Sequence, residues 1–357
     1  MGFMKNSNNH LLNTEFSSPA FFEKIVGRTE SETISIKEID EYYSKSKILV
    51  VGAGGTIGSA VSRKLVEAQC EEVFFLDRDE SALHALSLNL SDRAASHWER
   101  CVVADIKDYS GINSIFKTLK PDVVIHAAAL KHLVILERFP REGFLTNVVG
   151  TLNLLKASEE NGVKRFINVS TDKAAKPVSF LGKTKKITEL LVSETSPTFS
   201  DYACSVRFGN VFASRGSVIE TFVHQLSRNI PVTVTDENVA RFFMSHNEAA
   251  NLILAAGTLN QSATFVQNMG EEVKILDLVK RLAQSLKVDA QIHFSGLQPG
   301  EKLHEDLIDT DFDVTRYESI VKLEYKKVTR LREVINEFGT VSSDKEALSL
   351  VEKLLLH

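Results

Sequence analysis

The stretch KILVVGAGGTIGS (residues 47–59) decides the fold of this chain. Its first residues form a short apolar run typical of a buried parallel strand. Its glycines Gly52, Gly55 and Gly58 follow at intervals of three. Glycine permits a tight turn and a close approach of the backbone to a pyrophosphate, and the N-terminus of the next helix offers unpaired N–H groups. The stretch therefore predicts the strand, loop and helix with which a doubly wound α/β domain binds a dinucleotide.

Outward from this stretch, short apolar runs alternate with longer helical periods, as in a parallel sheet covered by helices on both faces. We expect strands at 47–52, 72–77, 100–105, 122–127, 164–170 and 202–208. We expect helices at 58–69, 79–90, 110–119, 142–161, 247–257 and 275–286. The predicted fold class is α/β, a doubly wound parallel (Rossmann) sheet with a smaller C-terminal α/β substrate lobe.

Composition shifts along the chain divide it into three regions. Residues 1–46 are polar and weakly patterned and form a predicted N-terminal arm. Residues 47–208, together with roughly 242–270, form the predicted dinucleotide-binding domain. Residues 209–241 and 271–357, where the alternation loosens, form the predicted substrate-binding lobe and the C-terminal helices.

Charge and cysteine usage exclude several classes of protein. The formal net charge is −5, without a long Lys/Arg run, which argues against nucleic acid or a membrane surface as partner. The three cysteines lie far apart, and no His, Asp and Glu cluster has metal-ligand spacing, so neither a disulfide framework nor a metal site is expected. No run of about 18 uncharged apolar residues and no signal peptide are found. We therefore expect a soluble, cytoplasmic protein that acts on small molecules.

Acidic and small residues at the ends of the next strands complete a cofactor site. Asp77 ends the second strand about 25 residues after Gly52, where a carboxylate accepts hydrogen bonds from an adenosine ribose. Such a carboxylate repels a 2′-phosphate and favours NAD, while the adjacent Arg78 leaves NADP open. The cofactor residues predicted here are Gly52, Gly55, Thr56, Ile57, Gly58, Asp77, Arg78, Asp105, Ile106, Ala127, Ala128 and Ala129.

The fifth strand delivers a second group of polar residues to the same edge of the sheet. Ser170, Thr171, Asp172 and Lys173 follow its apolar run directly. Open α/β sheets bind their ligands at the carboxyl ends of the strands. We therefore expect the chemistry at these residues.

A series of segments resembles a known family. VVGAGGTIGS, HAAALKHL, TNVVGTLN, STDKAAKP, GKTK, VRFGNV, GSVI, RFFM and PGEKLHE, spread from about residue 22 to 310, resemble the extended short-chain dehydrogenase/reductases. Within them the chain most resembles the CapD-like polysaccharide-biosynthesis group, which contains UDP-N-acetylglucosamine 4,6-dehydratases. The resemblance implies a UDP-sugar substrate, tightly held NAD(P)⁺ and a homo-oligomer.

By the same resemblance, Lys173 would be the base for the C5 proton of the sugar and Asp172 the acid for its C6 hydroxyl. For Lys173 to act as a base, its pKa must fall from about 10.4 towards neutrality. We expect burial, or positive charge from Lys185 and Lys131, to lower it. Asp172 must conversely hold a proton.

One position departs from the family pattern. Where the family usually has the tyrosine that takes the C4 hydroxyl proton, this chain has Leu181, four residues before Lys185. By resemblance, Lys185 would hold the cofactor ribose. A branch of the family, the membrane-anchored retaining dehydratases, has methionine at this place, which favours that branch. Thr171, Lys185 and a bound water remain open as routes for the C4 proton.

The resemblance also assigns the nucleotide-sugar side of the cleft. An arginine can hold a diphosphate with two parallel hydrogen bonds, which suits Arg241 to this role. The strand 231–235 would pair its backbone with uracil, while Gln298 stands where the family usually has arginine. The predicted substrate residues are Lys131, Asn210, Ser217, Val218, Thr233, Arg241 and Glu301.

These observations predict a soluble, retaining UDP-N-acetylglucosamine 4,6-dehydratase that forms a UDP-4-keto-6-deoxy-hexosamine for surface glycans. Two other enzymes stay open, an inverting 4,6-dehydratase that also epimerises C5 and a UDP-sugar 4-epimerase. A third alternative comes from a different class. The leucine at 181 and the glutamine at 298 also fit a non-catalytic, cofactor-dependent sensor of nucleotide sugars.

Overall fold

The computed structural model describes residues 18–90, 94–324 and 328–356. Their strands are β1 Ile48–Val51, β2 Val73–Asp77, β3 Cys101–Val103, β4 Val123–His126, β5 Arg165–Val169, β6 Tyr202–Arg207, β7 Asn210–Val211, β8 Val232–Val234, β9 Ala240–Arg241, β10 Phe243–Met244, β11 Thr264–Gln267, β12 Val273–Lys274, β13 Ile292–Phe294, β14 Phe312–Val314 and β15 Ile320–Leu323. The six strands predicted from the apolar runs are β1 to β6, with ends within two residues of the prediction.

The α-helices of the same residues lie between these strands and after them. They are α1 Pro19–Val26, α2 Ile36–Tyr43, α3 Thr56–Glu67, α4 Glu80–Leu90, α5 Tyr109–Leu119, α6 Leu133–Arg138, α7 Pro140–Gly143, α8 Gly150–Glu160, α9 Phe180–Thr195, α10 Val218–Ser227, α11 His246–Thr258, α12 Ile275–Leu286, α13 Leu331–Phe338 and α14 Asp344–Leu355.

A nine-stranded sheet in the order β14-β15-β11-β6-β5-β4-β1-β2-β3 forms the centre of the fold. The pairs from β3 to β11 are parallel, and β15 and β14 add antiparallel at one edge. The order 3-2-1-4-5-6 within it is that of the doubly wound dinucleotide-binding fold. The predicted fold class is therefore confirmed.

The order of the strands reverses between β1 and β4. β1 is buried along its whole length and pairs with β2 on one side and β4 on the other. Because the chain leaves β1 towards one side and returns in β4 on the other, a crevice opens above their carboxyl ends. The glycine-rich stretch and the segment after β4 therefore meet at the place where such sheets bind ligands.

A π-helical stretch, Phe144–Val149, links α7 to α8, and such insertions often mark functional sites. Asn147 within it is buried, and its Oδ1 accepts a hydrogen bond from the Leu130 N–H at 2.8 Å. Its Nδ2 donates to the Leu130 carbonyl at 3.1 Å and to Thr184 Oγ1 at 3.2 Å. The irregular turn therefore ties the segment after β4 to α9.

A second apolar core belongs to the smaller lobe. It is built from α10, α12, β8 and their neighbours, and Phe22, Ile25 and Val26 of α1 are buried in it. The described part of the predicted arm is therefore not a separate unit. Its helix α1 packs on this lobe, and Tyr43 of α2 is buried in the main core, the apolar cluster that includes Ile48 and Val50 of the large sheet.

The lobe boundary differs from the sequence-based expectation at the C-terminus. β14 and β15 extend the large sheet, although residues 271–357 were assigned to the substrate lobe. Leu331 of α13 and Leu350 of α14 are buried in the core that covers one face of this sheet. C-terminal helices were predicted for this region without bounds, and their packing on the large sheet was not predicted.

None of the helices in the described residues is both long and apolar enough to cross a bilayer.

Candidate active site

The glycine-rich loop is shaped by backbone contacts that exclude side chains. Gly52 has a φ of +79°, and a Cβ there would lie 2.6 Å from the backbone nitrogen of Ala128. A Cβ on Gly58 would lie 2.1 Å from the Gly52 carbonyl oxygen. Among the described residues, no side chain caps α3, which begins at Thr56. The first N–H groups of α3 are thus oriented to receive a phosphate.

A cleft opens beside this loop, at the carboxyl ends of the central strands. The predicted cofactor residues that line it are Gly52, Gly55, Asp77, Arg78, Asp105, Ile106, Ala127, Ala128 and Ala129.

Thr56, Ile57 and Gly58 were also predicted as cofactor residues. They are not among the residues that line the cleft. Thr56 Oγ1 accepts a hydrogen bond from the Arg215 N–H at 3.2 Å, and Ile57 packs against the main core. Gly58 lets α3 approach the loop, as described above.

Asp77 lies at the end of β2 with its carboxylate held by two backbone groups. Its Oδ2 accepts from the Gly54 N–H at 2.9 Å, and its Oδ1 accepts from the Asp79 N–H at 3.0 Å. Both bonds fix the side chain in the lining of the cleft. The glycine cradle, the uncapped helix and this carboxylate together fit a dinucleotide whose ribose carries free hydroxyls.

A single 3₁₀ turn after β5 carries the predicted catalytic residues. Asp172 is fully buried, and its Oδ1 accepts hydrogen bonds from Thr171 Oγ1 at 2.8 Å and from Lys173 Nζ at 3.0 Å. Lys173 Nζ also donates to Asn210 Oδ1 at 3.2 Å. Asp172 Oδ2 is buried without a hydrogen-bond partner among the described residues. A buried carboxylate oxygen of this kind is costly until another group completes it.

The charge on Lys173 differs from the sequence-based expectation. Burial opposes the ammonium form, but Asp172 and Glu305 outweigh burial, so the pKa of Lys173 lies above its usual value. The expectation of a lowered pKa is therefore wrong for this state of the protein. The sequence suggested the cations Lys185 and Lys131 as neighbours of Lys173. In the fold its charged neighbours include the carboxylates of Asp172 and Glu305, which stabilise the ammonium form.

Lys185 has a lowered pKa, in contrast to Lys173. It is 6% exposed, its Nζ donates to the Val169 carbonyl at 2.6 Å, and burial lowers its pKa to about 8 despite Glu189. Burial, together with Lys185, lowers the pKa of the neighbouring His126 to about 3. Lys185 therefore lies at the carboxyl ends of β4 and β5, which carry His126 and Val169.

The helix α9 approaches the catalytic turn so closely that it requires glycine. A Cβ on Gly182 would lie 2.3 Å from the Lys173 carbonyl oxygen. Leu181, beside it, is 5% exposed and packs in an apolar cluster with Phe144 and Phe180. The position that carries a phenol in the family pattern is thus part of the core here.

Some of the predicted substrate residues reach the catalytic turn or its border. Asn210 contacts Lys173, as given above. Lys131 Nζ donates to Ser214 Oγ at 3.4 Å, and burial lowers its pKa. Ser217 precedes α10, and its Oγ is buried without a hydrogen-bond partner among the described residues, while Val218 packs on the second core. Contact of Ser217 and Val218 with a ligand stays a prediction.

Arg241 and Glu301 are engaged with each other and with the loop 298–303. Arg241 Nη2 lies 3.3 Å from Glu301 Oε1 and donates to the Lys302 carbonyl at 2.8 Å. Glu301 Oε2 accepts from the Gln298 N–H at 3.0 Å. Thr233 is exposed, and its N–H donates to a glutamine side chain at 3.4 Å. Contact of these residues with a nucleotide stays a prediction.

Two further residues belong to the site and were not identified from the sequence. Arg215 comes from the smaller lobe and lines the cleft beside Gly55. Glu305 is buried, with its Oε1 at 3.6 Å from Lys173 Nζ. Glu305 lies in the segment PGEKLHE, which carried the family resemblance, but nothing in its spacing indicated a contact with residue 173.

Comparison with known proteins identifies the family. A family described as "Polysaccharide biosynthesis protein" matches residues 48–326. The capsular polysaccharide biosynthesis protein CapD of Staphylococcus aureus is 38% identical over 80% of this chain and 49% of its own length. The probable polysaccharide biosynthesis protein EpsC of Bacillus subtilis is 36% identical over 80% of this chain and 48% of its own. The chain thus spans about half the length of these two relatives.

Other relatives carry different names. The UDP-glucose 4-epimerase of Rickettsia canadensis is 30% identical over 76% of this chain and 80% of its own length. The crystal structure of Pen from Bacillus thuringiensis superposes with a TM-score of 0.70 at 30% identity, covering 80% of this chain and 90% of that one. The dTDP-glucose 4,6-dehydratase DesIV of Streptomyces venezuelae, 22% identical, superposes with a TM-score of 0.62 over 73% of this chain and 88% of its own, and shares the fold.

Proposed function

The chain belongs to this family of polysaccharide biosynthesis proteins, the CapD-like extended short-chain dehydrogenase/reductases, and on that premise we propose that it modifies a nucleotide sugar. We propose more specifically a retaining UDP-N-acetylglucosamine 4,6-dehydratase that uses NAD. A role in polysaccharide biosynthesis is supported by the names of CapD and EpsC, and the cofactor by the cleft with Asp77 in its lining.

The observation that carries the dehydratase proposal is the contact at 3.0 Å between the buried Asp172 and Lys173, at the carboxyl end of β5. A 4,6-dehydratase must remove the C5 proton and protonate the departing C6 hydroxyl. It therefore requires a base and an acid beyond those that act at C4. A 4-epimerase has no such requirement.

When bound, a nicotinamide dinucleotide supplies the reversible acceptance of a hydride from the sugar. The residues that would hold it are those of the glycine loop, Asp77 and Ala127–Ala129, all of which line the cleft. The remaining chemistry consists of proton transfers and falls to the catalytic turn.

The proton transfers can be assigned in a balanced order. The C4 hydroxyl proton passes through Thr171 Oγ1 to Asp172, along the 2.8 Å hydrogen bond between them. Lys173, once neutral, takes the C5 proton, while Asp172 returns its proton to the C6 hydroxyl, which leaves as water. Lys173 then gives its proton back to the same face of C5, which retains the configuration. Both side chains end in the state in which they began.

The direct test is to incubate the purified protein with UDP-N-acetylglucosamine and identify products by NMR. A UDP-4-keto-6-deoxy sugar supports the proposal. Binding without turnover contradicts it and favours a sensor. Lys173→Ala should remove the product while leaving the content of bound nicotinamide unchanged, because Lys173 does not line the dinucleotide cleft.

A second candidate is a UDP-sugar 4-epimerase. It is favoured by the Rickettsia relatives of that name, one of which matches this chain over 80% of its own length. In the same assay, a C4 epimer of the substrate with its C6 hydroxyl intact would identify this activity.

A further inference from the structure

Glu305 is a buried acid beside the catalytic amine. Its side chain is 3% exposed, and its Oε1 lies 3.6 Å from Lys173 Nζ. Its Oε2 has no hydrogen-bond partner among the described residues, and Lys302 Nζ lies 3.8 Å away. Its backbone N–H donates to Glu272 Oε1 at 3.2 Å, which fixes this part of the segment. One carboxylate oxygen of Glu305 therefore lies near Lys173, and the other lacks a hydrogen bond among the described residues.

Burial and the charges around Glu305 act on its pKa in opposite directions, and the net shift is upward. Burial raises the pKa of Glu305, and Asp172 adds to this effect, while Lys173, Arg241 and Lys302 act against it. Lys173 is flanked by two carboxylates, Asp172 at 3.0 Å and Glu305 at 3.6 Å. In a buried site, two neutral partners avoid the desolvation that an ion pair must offset. The surroundings of Glu305 thus already favour its protonated form, so that Glu305 can accept a proton that Lys173 releases.

On the basis of the proposed function, we propose that Glu305 is the group that takes the proton from the Lys173 ammonium, so that Lys173 can act as a base towards C5. One N–H bond of Lys173 breaks, and one O–H bond forms on Glu305. The total charge of the pair does not change, and no further reactant is needed. Glu305 acts through Lys173 and does not touch the sugar. Asp172 stays free to handle the proton that comes from C4.

The same charges couple this transfer to substrate binding. Arg241 and Lys302 favour the ionised form of Glu305. A diphosphate bound at these cations would offset their field, because opposite charges at short range favour one another's ionised form. Glu305 would then hold a proton more readily, and Lys173 would lose one. The base is thus formed when the nucleotide is in place.

The alternative is that Glu305 only holds Lys173 in position, and the pH dependence separates the two roles. Without Glu305, Lys173 must release its proton to the solvent, so the rate should rise about tenfold per pH unit below the pKa of the amine. A purely structural defect would lower the rate by the same factor at every pH.

The test compares Glu305→Gln with Glu324→Gln, the same change at a side chain that is 76% exposed. With UDP-N-acetylglucosamine at pH 7, Glu305→Gln should lose about 100-fold in kcat and recover about tenfold per unit between pH 7 and 9. Glu324→Gln should stay within twofold of the wild type. A kcat of Glu305→Gln within threefold of the wild type, or a uniform loss across pH, overturns the inference.

A second measurement does not depend on turnover. Cyanate modifies neutral amines, and peptide mass spectrometry gives its rate at Lys173. Saturating UDP should accelerate this reaction about tenfold in the wild type at pH 7, and not in Glu305→Gln. Equal behaviour of both proteins overturns the inference. A wild type that forms no dehydrated product refutes the proposed function alone, and the cyanate comparison still decides the role of Glu305.

Discussion

Two buried ion clusters lie on neighbouring strands of the sheet, and they differ in how completely their oxygens are bonded. The Arg207 cluster consists of Arg207, Glu189, Asp309, Lys186 and Ser170. Every carboxylate oxygen in it accepts a hydrogen bond. Arg207 donates to both oxygens of Glu189, at 3.0 and 2.7 Å, and to Asp309 Oδ1 at 2.8 Å. Lys186 donates to Asp309 Oδ2 at 2.9 Å.

The Lys173 cluster consists of Lys173, Asp172, Thr171, Asn210 and Glu305. Here Asp172 Oδ2 and Glu305 Oε2 are buried without hydrogen-bond partners among the described residues. A saturated network rigidifies a core, whereas an incomplete one is costly and is retained where a ligand or a proton completes it. The Arg207 cluster therefore positions the Lys173 cluster. One link is Ser170, which precedes Thr171, and the other is the segment that carries both Glu305 and Asp309.

The largest expected effect is on stability, from Arg207→Met. This change would leave Glu189 and Asp309 buried without their cation, so the free energy of unfolding should fall by about 3–5 kcal/mol in denaturant titration. The triple variant that also has Glu189→Leu and Asp309→Leu should recover most of this loss, because no uncompensated charge remains. A single variant that loses less than about 1 kcal/mol would show that the saturated cluster is not structural.

Asp172→Asn should separate activity from stability in the other cluster. The amide cannot carry a proton to the C6 hydroxyl, so kcat should fall about 10²–10⁴-fold. The free energy of unfolding should change by less than about 1 kcal/mol, since the change removes a buried charge whose Oδ2 already lacks a partner. Denaturant titration and product NMR measure the two quantities. A large loss of stability with little loss of rate would reverse the contrast between the clusters.

The pKa values of Asp309 and Glu305, which lie on the same segment, are shifted in opposite directions. Burial raises the pKa of Asp309, but Arg207 and Lys186 outweigh it, so its pKa lies below the usual 3.8. Its contribution is therefore present above pH 3.8 and lost as the pH falls through its folded pKa. The pKa of Glu305 lies above 4.5, so its contribution is complete below that pH and lost as the pH rises through its folded pKa.

Unfolding titrations of Asp309→Asn and Glu305→Gln between pH 3 and 8 would measure this difference. Relative to the wild type, Asp309→Asn should lose stability as the pH rises from 3 to 5, and Glu305→Gln should gain stability as the pH rises from 5 to 8. Curves that run parallel for the two variants would contradict the assignment.

The smallest effect is expected at an exposed ion pair. Lys322 lies 3.3 Å from Asp313 and 3.0 Å from Glu324, whose side chains are 67% and 76% exposed. Lys322→Met should change the free energy of unfolding by less than about 1 kcal/mol in denaturant titration. A loss comparable to that of Arg207→Met would mean that burial does not distinguish the clusters from surface pairs.

The sequence predicted the central part of the fold because that part depends on local patterns. Buried strands and amphipathic helices have distinct periods, and Gly58 is required by its close contact with Gly52, which lies in the same short stretch of sequence. The predicted lobe boundary differed because β15 pairs with β11, more than 50 residues earlier in the chain, and β14 pairs with β15. Pairing between distant segments leaves no local signature.

The sequence predicted which residues meet at the catalytic turn, but it did not predict the direction in which the pKa of Lys173 is shifted. Thr171, Asp172 and Lys173 meet at one turn because they follow one strand. The pKa of Lys173 depends on Glu305, which lies more than 130 residues away and reaches the site through the tertiary fold. Leu181 could be recognised as a departure from the family, but its burial in the core depends on the packing of α9.

The most direct test of the central claim, that Asp172 and Lys173 act on the sugar carbons, is to run the reaction with UDP-N-acetylglucosamine in D₂O and locate deuterium by NMR. The account predicts a 4-keto-6-deoxy product with one deuteron at C5, because the proton that Lys173 removes exchanges before it is returned. A product that keeps its C6 hydroxyl and its original C5 proton would contradict the account.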